Sequence, residues 1–250
     1  MSLPQRALGW SALGLWLAGT AALPGAARAE PERAEAEPAE ARLHLGLRTG
    51  FGLPLGRYAA VRTVASFRNT DVNALADDTY GAIPIWLDVG YRWSARWMFG
   101  AYAMAGLVLP KTAATGDPLG GGCPEGLDCS AFGVRLGLQA QYRFAPGDSL
   151  DPWLGLGLGY EWIWSDLEGE VFNIPVDASN DYAGPDLAHV QGGLDIRVSD
   201  GATLGPFLSL SAMRYTSCTA TDSDNALDCE LNEQSWHGWL VLGVRGTLEL

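Results

Sequence analysis

From residue 43 to its C terminus the chain alternates apolar and polar positions. Over residues 235–250, Leu240, Leu242, Val244, Leu248 and Leu250 are apolar, while His237, Gly243, Arg245, Thr247 and Glu249 take the intervening places. A period of two marks a strand with one apolar face. The same alternation recurs over residues 43–52, 83–93, 97–109, 132–144, 154–164, 188–198 and 204–215. In the last of these Phe207 and Tyr215 break the rule by falling on the polar side. Eight strands are therefore expected, of about 10 to 14 residues, long enough to cross an apolar layer when tilted.

The connections alternate as well. Residues 54–79, 110–130, 165–185 and 216–234 form long segments, whereas residues 94–96, 145–148 and 200–203 are short turns. Long segments at one end and short turns at the other predict an all-β fold, an eight-stranded antiparallel up-and-down transmembrane β-barrel, with both chain ends on the short-turn side. The charges support this reading. Arg48, Asp88, Arg92, Arg135, Arg143, Glu161, Asp195, Arg197, Arg245 and Glu249 share the parity opposite the aliphatic rows. An arginine on a lipid face costs about 2–4 kcal/mol at mid-membrane, so these ten are assigned to the lumen. Glycine and these charges are expected to dominate that inward face. An eight-stranded barrel is only wide enough for its own side chains, so the ten should plug it as a network of ion pairs.

Aromatic residues refine the picture. Tyr91, Trp93, Trp97, Phe99, Tyr142 and Phe144 fall at one end of the outward face, and Phe51, Phe132, Tyr160, Trp162, Trp164 and Trp236 at the other. Two such bands are the girdles of a membrane barrel. A soluble barrel with its apolar face inward, of the lipocalin kind, is the outside alternative and reverses the parity.

Residues 1–29 carry Arg6, an apolar run and the small-residue close Ala27, Arg28, Ala29, the order of a secretory signal peptide cleaved before Glu30. Residues 30–42 hold two prolines and no apolar period, and are read as a disordered acidic periplasmic leader ahead of the barrel domain at residues 43–250. Formal charge is -13, and loss of Arg6 and Arg28 makes it -15. With Lys111 its only lysine, the chain is not built to bind nucleic acid.

Four cysteines after an export signal read as disulfides; three pairings are possible, and the local one, Cys123 with Cys129 and Cys218 with Cys229, is favoured because each bond closes a short loop. Their spacing does not fit a four-thiolate zinc site.

Candidate chemistry is sparse. His189, His237 and Glu161 have inward parity at similar heights and are read as lumen-filling polar residues; no metal-ligand or acid-base spacing supports more. Asp166, Glu168 and Glu170 in the third long segment, and Asp222, Asp224, Asp228 and Glu230 near the second cysteine pair, lack the glycine and terminal glutamate of an EF-hand loop. They are read as solvated surface rather than as a calcium site. No cofactor is expected.

In this architecture the chain resembles the small eight-stranded outer-membrane β-barrel proteins of Gram-negative bacteria, the group of the OmpA transmembrane domain and OmpW-like proteins. The resemblance spans residues 43–250 and rests on strand pattern. It implies a porin-like monomer in the bacterial outer membrane, with loops extracellular and termini periplasmic. The implied partners are lipid, lipopolysaccharide and the outer-membrane assembly machinery, the last reading the C-terminal strand. The chain departs from the group in ending on Leu250 rather than on an aromatic residue. The resemblance implies a structural or surface-recognition role without catalysis, or, as the alternative, a narrow OmpW-like channel for small apolar molecules. Some members modify lipid A with a His and a Ser; His237 with Ser235 is the nearest match, on the wrong parity for a lipid substrate.

Overall fold

A computed structural model describes residues 42–58, 62–64, 67–69, 73–112, 123, 126–171, 174–222, 225–227, 231 and 236–250. The signal peptide, all of the leader but Arg42, and Asp224, Asp228, Cys229, Glu230 and Ser235 lie outside those residues. Eight strands form the wall: β1 (Arg42–Tyr58), β2 (Thr79–Arg92), β3 (Trp97–Pro110), β4 (Leu127–Arg143), β5 (Leu150–Val171), β6 (Ile174–Ser199), β7 (Ala202–Arg214) and β8 (Trp236–Glu249). Each pairs antiparallel with its sequence neighbours, and β8 returns to β1, so the ring closes. Closure runs to the terminus itself, where Leu43 and Leu250 exchange backbone hydrogen bonds of 3.2 and 2.9 Å. No strand of the ring keeps a free edge along this seam, the condition for a sheet to stand in hydrocarbon. Among the described residues no helix is long and apolar enough to cross a membrane.

The outward face is apolar and exposed across the ring: Leu47 is 58% exposed, Leu138 63% and Leu242 65%. A continuous belt of this kind is far beyond what a water-soluble monomer displays, and it suits a hydrocarbon surround. Aromatic residues cluster at both ends of the belt. Trp97 packs on Tyr142 at 5.1 Å between centroids and Tyr142 on Phe144 at 5.1 Å, while at the far end Phe132 stacks on Trp164 at 6.3 Å and Tyr160 meets Trp162 at 4.7 Å.

The third long connection differs from expectation. Residues 165–185 are no irregular loop, because β5 and β6 continue as a hairpin through the pair Val171 and Ile174. Ser217–Asp222 joins this ribbon alongside Ala178 to Ala183, and Asn225–Leu227 adds to its edge. The cause is a change of solvent. Beyond Trp164 the outward positions Asp166, Glu168 and Glu170 are exposed while Leu167 turns inward half-buried. Strand parity is unchanged, yet the oily side has switched, so the segment reads as acidic loop. β1 likewise runs on past residue 52 to Tyr58.

The first two long connections are tied together. A short helix, α1 (Leu75–Asp78), ends where Lys111 donates its backbone N–H to the Asp78 carbonyl at 2.9 Å and its ammonium to that of Ala76. The Lys111 carbonyl in turn accepts from Cys123 at 2.5 Å, and Cys123 is disulfide-bonded to Cys129. Cys218 is disulfide-bonded too.

Candidate functional site: the barrel lumen

The inward face stacks three polar groups with an apolar cluster among them. Nearest the short turns, Arg143 is the hub. Its Nε donates to Asp151 Oδ2 at 2.5 Å, its Nη1 to Glu249 Oε1 at 2.8 Å, and its Nη2 stands 4.0 Å from Asp195 Oδ2. Arg92 donates to the same Glu249 oxygen. These groups come from several different strands, so the network braces the ring across its diameter.

At mid-height four side chains close a cycle. Arg48 on β1 donates through Nη2 to Asp88 Oδ1 at 2.7 Å and through Nη1 to Gln191 Oε1. Gln139 on β4 donates to the same Asp88 oxygen at 2.8 Å, and Gln191 on β6 donates to Gln139 Oε1 at 2.5 Å. Arg48 is only 1% exposed and Asp88 0%. Two charges so far from water hold together only when each finds an opposite partner with further hydrogen bonds, as both do here. The Arg48 guanidinium also lies 5.1 Å from the Trp86 ring centroid and 5.6 Å from that of Phe207.

At the long-connection end, Arg135 Nη2 donates to Glu161 Oε1 at 2.7 Å, and its Nη1 lies 3.4 Å from Asp186 Oδ2. His237 Nε2 is 3.0 Å from Glu161 Oε2, with the Tyr215 ring stacked on the imidazole at 3.9 Å. The Tyr102 hydroxyl donates to Asp186 at 3.1 Å, and its ring meets His189 edge-on at 5.4 Å. Tyr102 fits because it lies against glycines: a Cβ on Gly137 would stand 2.4 Å from its Cζ, and one on Gly159 2.8 Å from its hydroxyl.

Among these polar groups sit Ala82, Trp86, Tyr102, Met104, Trp153, Phe207, Met213, Trp239 and Val241, packed as one buried cluster. This corrects the expectation that glycine and charge dominate the inward face. The misfit parity of Phe207 and Tyr215 has the same origin, since both are buried inside.

Of the ten predicted lumen charges, Arg48, Asp88, Arg92, Arg135, Arg143, Glu161 and Glu249 make close ion pairs. Asp195 is buried, with the Arg143 guanidinium 4.0 Å from its Oδ2 and with Arg245 and Trp153 as further neighbours. Arg245 is buried beside β1, and among the described residues no carboxylate stands within 4.0 Å of it, Asp195 being its nearest charge partner beyond that distance. It donates to His44 Nε2 at 3.0 Å and stacks 4.2 Å from the Trp153 centroid. Arg197 is not in the lumen: it is exposed at the short-turn rim and donates to the Gly147 carbonyl at 2.5 Å. β6 has nearly reached its last turn there, so the parity no longer has an interior to point into.

His44, Tyr102, Gln139 and Gln191 share the inward parity of the ten charges, and Asp151 follows from extending that parity across a turn boundary. Asp186 does not. Gly157 pairs with His189 but Gly159 with Asp186, so Leu187 and Ala188 together oppose Leu158. This β-bulge reverses the parity of β6 and turns Asp186 inward. Among the described residues no three His, Cys, Asp or Glu side chains are placed to hold a metal ion.

No family model matches the sequence, and no curated protein does. Solved structures match it in fold. A major outer membrane protein from Thermus thermophilus has a TM-score of 0.50 at 12% identity, covering 82% of this chain and 99% of that one. The fold is that of an outer-membrane β-barrel. Neisserial surface protein A (TM-score 0.44, 14% identity, 81% of this chain and 95% of that one) is also similar. So is the outer membrane protein OprG from Pseudomonas aeruginosa, with a TM-score of 0.43, 13% identity and the same two coverages.

Proposed function

We propose that the chain is a monomeric, non-enzymatic outer-membrane barrel with a closed lumen, serving a structural or surface-recognition role. Its long connections face outside and both termini face the periplasm. The observation that carries this reading is the mid-height cycle of Arg48, Asp88, Gln139 and Gln191, backed by Trp86 and Phe207, each of these two rings 1% exposed. Such a layer leaves ions no wet path. Lipid and lipopolysaccharide meet the outward belt, and the assembly machinery would read residues 235–250. His237 and Glu161 are enclosed by the wall and by Tyr215, out of a lipid substrate's reach, which argues against catalysis. Recording in planar bilayers tests the closed lumen: silence at moderate voltage is expected, and steady single-channel steps would overturn it.

A second reading, a narrow path for small apolar molecules, has one observation in its favour. The ladder between β1 and β2 skips from Thr49 paired with Ile85 to Gly52 paired with Ala82. Pro84, which has no N–H to donate, stands in the gap. Inside this seam lies an apolar cavity of about 30 Å³ against Trp86, Met104, Trp239 and Val241. Uptake of a labelled alkane into proteoliposomes, absent from empty vesicles, would favour this path.

A further inference from the structure

The short helix α1 stands at the long-connection end of the apolar cavity inside the seam of β1 and β2. Leu75, its first residue, packs on the buried cluster that includes Ala82, Trp86, Met104, Trp239 and Val241, and all five of these line the cavity. Val108, near the end of β3, packs on the same cluster and lines the cavity too.

α1 is too short to stand alone. Its four residues make a single turn, none of them fully buried, and one isolated turn of helix does not persist in water. Leu75 is its one large apolar side chain. The last carbonyls of a helix have no partner within it, and here Lys111, the only lysine of the chain, supplies donors to two of them. Its ammonium donates to the Ala76 carbonyl, and its backbone N–H donates to that of Asp78 at 2.9 Å. The ammonium also lies 5.6 Å from the centroid of the Tyr80 ring, where cation and ring face attract. Lys111 is anchored in turn, because its carbonyl accepts from Cys123, which is disulfide-bonded to Cys129 on β4. The barrel wall thus reaches α1 through one disulfide and one lysine.

We propose that α1 is a lid over the apolar cavity and that Lys111 is its latch. While the latch holds, Leu75 closes the cavity on the long-connection side. When it lets go, α1 lifts and small apolar molecules enter from that side. The lid belongs to the cavity and works whether or not the seam passes such molecules onward through the wall.

Labelling of a cysteine in the cavity reads the lid directly. Ala82→Cys places a thiol in the lining, and the small neutral reagent methyl methanethiosulfonate is added to the protein in micelles while mass spectrometry follows the rate. Ala82→Cys should react at least about a hundredfold more slowly than Ser149→Cys in an exposed turn, since it reacts only in the open state. Lys111→Met should speed labelling of Ala82→Cys by about tenfold, equivalent to ~1.4 kcal/mol of closure. Leu75→Ala should speed it as well, and Val108→Cys reports on the same cavity if Ala82→Cys does not fold. A cavity cysteine that reacts as fast as Ser149→Cys overturns the proposal, and so does a rate unchanged by both Lys111→Met and Leu75→Ala. Faster labelling in these variants without uptake of alkane into proteoliposomes supports the lid and tells only against the path, so the two ideas fail separately.

Discussion

Arg48 and Arg245 are direct cross-strand partners on β1 and β8, the two strands that close the barrel, yet among the described residues only Arg48 has a carboxylate within ion-pair distance. Both guanidiniums are buried. Arg48 is held by Asp88 and Gln191, whereas Arg245 leans on a histidine nitrogen and a tryptophan face. Because arginine only donates, His44 Nε2 must accept in that contact, so His44 is neutral with its proton on Nδ1.

The two arginines should respond differently to replacement. Arg48→Met strands Asp88 in the interior and is expected to cost about 3–5 kcal/mol, whereas Arg245→Met breaks no close ion pair and should cost less. Equilibrium unfolding in urea, followed by the gel shift between folded and unfolded barrel, measures both. Equal losses would contradict the pairing seen here.

Replacing both halves of the central pair is milder than replacing one. Arg48→Met with Asp88→Leu should recover most of the loss from Arg48→Met, since well-packed apolar groups often equal a buried ion pair. A double-mutant cycle on unfolding free energies reads the coupling; additive losses would show that the two side chains do not interact.

Phe207→Ala should cost about 3–5 kcal/mol, because the ring is fully buried and packs edge-on to Trp86 at 5.8 Å. It also removes one wall of the mid-height layer. Bilayer currents should stay silent in the parent and become detectable in this variant.

Gly155→Ala addresses the cycle from the wall. A Cβ there would come within 2.9 Å of Gln191 Cγ and 3.1 Å of Gln141 Cγ, both movable side-chain atoms. The variant should fold with a loss of about 1–3 kcal/mol, the range for overpacking, and Gln191 should leave its bond to Gln139. A crystal structure of the variant with that bond intact would count against the cycle's tight packing.

Reduction of the Cys123 to Cys129 bridge should lower stability by about 2 kcal/mol at most, because a separation of six residues closes a very short loop. Urea midpoints with and without dithiothreitol test this. Mass spectrometry of alkylated peptides shows which bonds were reduced.

The sequence by itself determined the eight strands of the wall, the short turns that join them and, at most wall positions, the face each side chain takes. Those are local consequences of a two-residue period, and lipid outside makes the period legible because every outward position must be apolar. Where the surround turns to water, as at Asp166 and Glu168, the oily side flips and the ribbon of β5 and β6 disappears from view.

Tertiary structure alone decided which charge meets which. Parity says that Arg48, Asp88, Gln139 and Gln191 point inward, but strand tilt and the ring's closure set their heights, and height makes them a cycle while leaving Arg245, among the described residues, without a carboxylate within ion-pair distance. A bulge of one residue brought Asp186 inside, and one last turn of strand left Arg197 outside. Pairing in a lumen is a property of the closed ring, whereas facing the lumen is a property of each strand.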